Sequence, residues 1–528
     1  MSARAGSRRP PLPLLVAAGG VVALLLLPLA YLVVRTVDGG GRAVEILGEE
    51  TTWRLVGNTV LLVAGVVTAA LAVAVPLAWL VTQTDLPGRR LWAVAGALPL
   101  VVPSYVAAFC LLGFFGERGL LAQALGVDRL PDVTGYWGAL VALTLTTYPY
   151  VFLLCQAALR DLDPSLEEAA RGLGVSGART LLRVTLPALR PAAGLGALLA
   201  ALYTLSDFGV VSLMRYDALT RAIYLQYRSL FDRTPAATLS LLLVAVTAIA
   251  LVVEYRTRRR GRLYRTSPGA ARRRRPVRLG RWTAPALAFC TAVAGLFLVL
   301  PAGVLGYWLG RGIANDRELE LPWHEAADSL GASGLAAAAA VLASLPVAVL
   351  ALRHPSRLPR VLERLSYAGN ALPGLVIALS LVFFAARYAS PVYQTLALLV
   401  FAYVVRFFPQ ALSGTESALQ RVSPRYEEAA RGLGRGPLQT LALVTVPLAR
   451  TGLLAGGALV FLSAMKELPA TLLLRPIGFD TLATEIWKLT QVGAYSRAAV
   501  PALVLIALSA PVLYLVSAGD RIEGGAAG

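Results

Sequence analysis

Apolar positions along this chain follow neither a two-residue nor a 3.6-residue period over most of its length. They form long unbroken runs separated by short polar stretches. About 20 apolar residues cross a bilayer core, and twelve runs meet that length. They fall at 11–34, 59–81, 91–115, 136–158, 192–213 and 236–253, then at 282–308, 334–352, 367–386, 393–412, 451–474 and 498–517. Helix is the expected form of each, because backbone groups in lipid must satisfy one another within the segment. Several runs hold Pro or Gly, which membrane helices tolerate. The fifth and eleventh carry polar pairs, Ser206-Asp207 and Lys466-Glu467, and so are candidates for broken or re-entrant segments. The pattern predicts an all-α polytopic membrane protein.

The twelve runs divide into two sets of six, and the division is written in the residues. Glu167-Glu168-Ala169-Ala170-Arg171-Gly172-Leu173-Gly174 recurs as Glu427-Glu428-Ala429-Ala430-Arg431-Gly432-Leu433-Gly434, an offset of 260. The same offset relates Pro149 to Pro409, Pro164 to Pro424, Pro187 to Pro447 and Asp207 to Glu467. Pro76 and Pro346, and Pro103 and Pro373, pair at 270. An even number of spans per half puts both halves in the membrane in the same orientation, related by an axis along its normal. The expected organisation is a first repeat at 1–253, a basic linker at 254–281 and a second repeat at 282–528.

Charge sharpens the topology. Only 15% of the 528 residues are charged and 57% are hydrophobic, against about 25% charged in a soluble domain. The net charge of +19 sits in the loops. With the N-terminus inside, inner segments hold about 32 Lys and Arg and outer ones about 16, leaving Arg406 within a span. That bias predicts cytoplasmic N- and C-termini and makes nucleic acid an unnecessary explanation of the charge. The run Arg272 to Arg275 reads as a solvated linker near anionic lipid. Arg4, Arg8 and Arg9 precede the first apolar run, whose length favours a retained helix over a cleaved leader.

Composition excludes several chemistries. The two lysines, Lys466 and Lys488, lie in no GxxxxGK[ST] stretch, so the chain has no Walker A loop. Cys110, Cys155 and Cys290 all fall in apolar runs and read as small buried hydrophobes. His324 and His354 lie in loops on opposite sides, so no metal set is expected. No nucleophile with a base and no paired catalytic acids stand out, so neither an enzyme nor a resident cofactor is expected.

The repeated octamer lies after the fourth span of each half, on the arginine-rich side. Asp163-Pro164 and Ser423-Pro424 precede it, a short acceptor followed by Pro that starts a helix well. The Glu pair then sits in the first turn, where the helix dipole favours it. Gly172 and Gly174, like Gly432 and Gly434, end the helix, which predicts short helices over about 163–175 and 423–435. A further helical stretch follows and is expected to close at Leu186-Pro187. A similar surface helix left over from duplication is the bland alternative. It fits poorly, because the flanking spans have diverged while the octamer is identical.

Glu-Ala-Ala, then Gly, then Leu-Pro or Val-Pro, resembles the EAA loop of binding-protein-dependent ABC importer permeases. The resemblance covers about 60–250 and 330–517 and implies the type I (MetI-like) permease fold. It implies that Glu168, Ala169, Ala170, Gly174 and Pro187, with Glu428, Ala429, Ala430, Gly434 and Pro447, meet two copies of a separate ATPase. Glu167, Gly172, Glu427 and Gly432 belong to the same helices and join that candidate surface. A binding protein outside the membrane is the third implied partner, and a bacterial cytoplasmic membrane the implied location.

Two further segments, around Ser206-Asp207-Phe208-Gly209 and Lys466-Glu467-Leu468-Pro469-Ala470-Thr471, resemble those of fused iron(III) permeases. That resemblance implies ferric iron as cargo, and leaves thiamine, a phosphonate or a polyamine as alternatives. Asp207 and Glu467 are symmetry-equivalent acids at membrane depth, which makes them functional candidates. The bland reading pairs them with Arg215 and Arg475 as gate charges. Either way they are not read as iron ligands, since a conducting path holds cargo weakly. Arg406 lines the cavity, snorkels or pairs. An ion-coupled secondary transporter is the alternative of another class, but it has no use for the repeated helix.

Overall fold

The computed structural model describes residues 10–117, 119–128, 130–162, 164–229, 233–258, 276–315, 320–354 and 356–525. Among them, eleven helices are long and apolar enough to cross a membrane, and a bent pair makes a twelfth. The first six are Leu12–Asp38, Glu50–Gln83, Ser104–Leu125, Tyr136–Asp161, Leu181–Ser206 and Thr234–Val253. The second six are Gly280–Ala314, Trp323–Arg353, the pair Arg357–Gly369 and Gly374–Tyr388, Leu396–Gln420, Pro437–Met465 and Tyr495–Val512. The twelve-span, two-repeat expectation stands. Of the basic linker, residues 259–275 lie outside the described residues.

Three boundaries differ from the hydropathy reading, each for a physical reason. The run at 91–115 is two helices, Arg89–Ala97 and Ser104–Phe115, joined by a tight turn at Leu98–Val101. Its counterpart at 367–386 likewise begins only at Gly374, after a 99° bend. Pro103 and Pro373 make both breaks, since the residue before a proline is pushed out of helix. Val102 and Leu372 are accordingly extended. The fifth and eleventh spans end at Ser206 and Met465, not at 213 and 474. Each is followed by a short separate helix, Gly209–Leu213 or Pro469–Leu474.

The third difference lies at Pro187 and Pro447. They do not close a helix. The chain passes through one wide π turn, Leu181–Thr185 or Leu441–Thr445, and continues as Leu186–Ser206 or Val446–Met465. Each proline sits at the start of the new helix, where its missing N–H costs least, and the wide turn absorbs the change of bonding pattern.

The halves are interlocked. The first span packs on the eighth span and on Gly374–Tyr388 of the second half, while Leu300–Ala314 of the seventh packs on Ser104–Phe115 of the first. Tyr31 donates to the Phe383 carbonyl at 3.4 Å across this seam. Small residues let the inner spans approach closely. A Cβ on Gly414 would stand 2.6 Å from the Gly456 Cα, so the tenth and eleventh spans touch backbone to backbone there.

Candidate functional site

Two sites emerge, one at the loop helices and one between the halves. The loop helices run Pro164–Gly172 and Pro424–Gly432. Asp163 and the side chain of Glu168 lie outside the described residues. Each helix ends in a left-handed glycine, Gly174 at φ 80° and Gly434 at φ 83°, a conformation that a Cβ disfavours. The next feature is an exposed leucine. Leu173 and Leu433 are each 85% exposed. With exposed Ala169, Ala429, Gly172 and Gly432, they form a small, nearly smooth outward surface on each half. Pro187 and Pro447 stand apart from it, at the foot of the following span.

In the second loop helix the two glutamates divide, and in the first the leading one matches. Glu167 and Glu427 are buried, while Glu428 is exposed. Glu167 accepts from Thr185 Oγ1 at 2.7 Å. Glu427 accepts from Thr445 Oγ1 at 3.3 Å, 18 residues on in both halves. The first glutamate therefore ties the helix to its own span and does not join the outward surface. Helix geometry explains it, since adjacent residues are about 100° apart around the axis.

Beneath the helices the halves part company. Arg353, at the end of the eighth span, donates through Nε to Glu427 Oε1 at 3.1 Å and through Nη2 to the Val422 carbonyl at 3.0 Å and the Leu419 carbonyl at 3.4 Å. Its counterpart at the 270 offset is Gln83. That amide donates to the Leu159 carbonyl, the counterpart of Leu419, at 2.9 Å. At these matched positions one half has a guanidinium and the other a neutral amide.

The second site is a cavity of about 200 Å³ at the breaks of the fifth and eleventh spans. Much of its lining comes in symmetry pairs, among them Ser206 with Lys466, Asp207 with Glu467, Thr146 with Arg406, Tyr150 with Gln410, and Tyr203 with Ser463. Asp207 accepts from Ser104 Oγ at 2.5 Å and from the Val210 amide at 2.8 Å, so it also caps the short helix that follows. Glu467 stands 3.0 Å from Arg406 Nε as an ion pair. Room for that pair comes from Gly374, the counterpart of Ser104. A Cβ there would meet Glu467 Oε1 at 2.4 Å and Arg406 Nη1 at 2.5 Å. Lys466 crosses to the first half and donates to the Leu100 carbonyl at 3.1 Å.

Of the four gate candidates, Asp207 and Glu467 line this cavity and Arg215 and Arg475 do not. Arg475 pairs with Asp480 instead, and Arg215 is exposed in a tight turn at φ 52°. The short helix after each acid carries the arginine away from it. Ser104, Gly374 and Gln410 were not singled out by the sequence. The repeat offset is the signal that finds them, once one member of each pair is known to face the cavity. No group of three or more His, Cys, Asp or Glu could hold a metal among the described residues.

A bilayer-spanning pseudo-dimer with a cavity at its seam and one outward helix per half defines a class: a fused transport pore moved by partners outside it. The chain belongs to the binding-protein-dependent transport system inner membrane component family, which it matches twice, over residues 74–262 and 340–521. Members are permease components, not enzymes, and the family implies a substrate-binding protein and an ATPase as partners.

Among curated relatives, it is 33% identical to the Fe(3+)-transport system permease protein FbpB 2 of Haemophilus influenzae, over 96% of this chain and 98% of that one. It is 24% identical to the ferric transport system permease protein FbpB of Actinobacillus pleuropneumoniae, over 94% and 77%. The sulfate transport system permease protein CysW of Escherichia coli matches at 28% identity over 44% of this chain and 84% of its own.

Proposed function

We propose that this chain forms the whole membrane pore of a ferric iron importer. An outer binding protein delivers the cargo and two ATPase subunits, one on each loop helix, drive the cycle. Both termini face the cytoplasm. The near-complete match to a relative named for Fe(3+) transport supports the cargo. The octamer shared by the two loop helices, Glu167 to Gly174 and Glu427 to Gly434, supports a partner present in two copies.

The geometry suits a lever. A short helix with small residues seats deeply in a groove, and Glu168 and Glu428 anchor it by charge-assisted bonds. The buried Glu167 and Glu427 pass its displacement to the fifth and eleventh spans through Thr185 and Thr445. Those spans end at the cavity, so closure of the ATPase pair rotates the broken segments and exposes the cavity to the other side. Asp207 and Glu467 are already engaged within the chain, which suits a path that cargo crosses without being trapped.

The test is uptake in vesicles holding the chain, its ATPase and its binding protein. Expected is ATP-dependent entry of labelled iron(III) and none of labelled sulfate. Sulfate entry, or iron entry without the ATPase, contradicts the reading.

A further inference from the structure

We propose that a notch beside the first loop helix binds an anionic phospholipid, one acyl chain inside and the phosphate at Arg278. The notch is a cavity of about 560 Å³, separate from the one between the halves. Its walls are Pro76, Trp79 and Leu80 of the second span, Leu181 of the fifth, and Ala286 and Phe289 of the seventh. That volume falls within the roughly 300–1,000 Å³ of sites that enclose a small ligand.

Position argues for lipid. The second span ends at Gln83, the fifth begins at Leu181 and the seventh at Gly280. All three meet the notch with the same-side ends, at the depth of the bilayer rim. Trp79 is half-buried in the wall and Trp282 is 61% exposed at its mouth, which suits the aromatic belt of that depth. Leu182, next to the wall, is 62% exposed. Such a mouth opens onto hydrocarbon, where the available apolar occupant is an acyl chain.

Charge argues for an anionic headgroup. Arg278 lines the notch, and Arg278 and Arg281 are both exposed. Arg89 and Arg90, also exposed, start the surface helix that packs on the seventh span. The nearby acids are engaged: Glu167 accepts from Thr185, and Asp85 Oδ1 from the Leu279 amide at 2.9 Å. Basic pockets between spans on the inner side are suited to anionic headgroups. The notch also touches Glu167, Thr180 and Thr185, the joint that carries the first loop helix. In the second half Arg353 reaches into the corresponding joint, where the first half has the shorter Gln83, which also lines the notch.

The experiment places the full chain in nanodiscs with phosphatidylglycerol bearing a photoreactive acyl chain and maps the adducts. Adducts are expected on the helices bearing Trp79 and Phe289, competed by unlabelled phosphatidylglycerol and not by phosphatidylcholine. Arg278→Gln should reduce labelling about fivefold, and Ala286→Trp, which fills the notch, should remove it. Because Arg278 is exposed, its variant keeps the test usable if Ala286→Trp fails to fold. Equal labelling in Arg278→Gln, equal competition by phosphatidylcholine, or no adduct on these helices overturns the proposal. The readout requires no transport, so it fails or holds independently of the cargo.

Discussion

The two halves are alike in their loop helices and unlike in the joints beneath them and at the cavity. Eight residues are identical in the loop helices, and both end in a left-handed glycine and an exposed leucine. Underneath, Arg353 and Glu427 form an ion pair where the first half has Gln83 and Glu167. At the cavity, Ser104 bonds Asp207 where Gly374 leaves space for Arg406 and Glu467. On the proposed reading, one ATPase copy on each loop helix holds the shared octamer to one sequence. Fusion into one chain lets the residues beneath diverge, because each half is then present once and in one setting.

The largest effect should come from breaking what is shared. Glu168→Lys with Glu428→Lys removes two charge-assisted contacts, which at about 1.5 kcal/mol each lowers ATPase affinity roughly a hundredfold. Uptake should vanish while the chain still inserts, as read by membrane fractionation and a pull-down of the ATPase. Next comes the cavity. Glu467→Gln leaves Arg406 without its counter-charge, a loss of about 3–5 kcal/mol in thermal unfolding. Asp207→Asn, whose hydrogen-bond partners Ser104 and the Val210 amide are neutral, should cost only about 1–2 kcal/mol. Equal losses would remove the asymmetry.

Smaller effects lie at the joints. Arg353→Gln puts the first half's residue type into the second and should cost about 1–3 kcal/mol, since buried Glu427 loses one of two guanidinium partners and keeps Arg431 at 3.6 Å. Gln83→Ala should cost about 1 kcal/mol, one neutral hydrogen bond. Uptake per ATP hydrolysed should fall in the first variant and hold in the second. The reverse order would show that the first half's joint transmits more.

Much of this was legible in the residues. The octamer, the prolines and the polar ends of two spans mark the loop helices and the breaks, because a helix start, a proline and a charge in lipid each have a local physical cost. What was not legible depends on neighbours distant in the chain. Arg406 meets Glu467, and not Arg475, because the tenth span lies against the break of the eleventh. Gly374 contributes by having no side chain, which no pattern reveals. Hydropathy merged Arg89–Ala97 with the span after it because Leu91 and Val94 are apolar yet exposed, at 67% and 51%. The exchange of first spans between halves lies in packing alone.

The central claim is that both loop helices are handles for one motor on one side of the membrane. Spin labels on Ala169→Cys and Ala429→Cys, exposed sites in a chain whose three native cysteines are buried, test it directly in the assembled transporter. The account predicts a label-to-label distance that shortens when ATP binds and lengthens again after hydrolysis. A distance indifferent to ATP, or labels reached by impermeant reagents from outside intact cells, would contradict it.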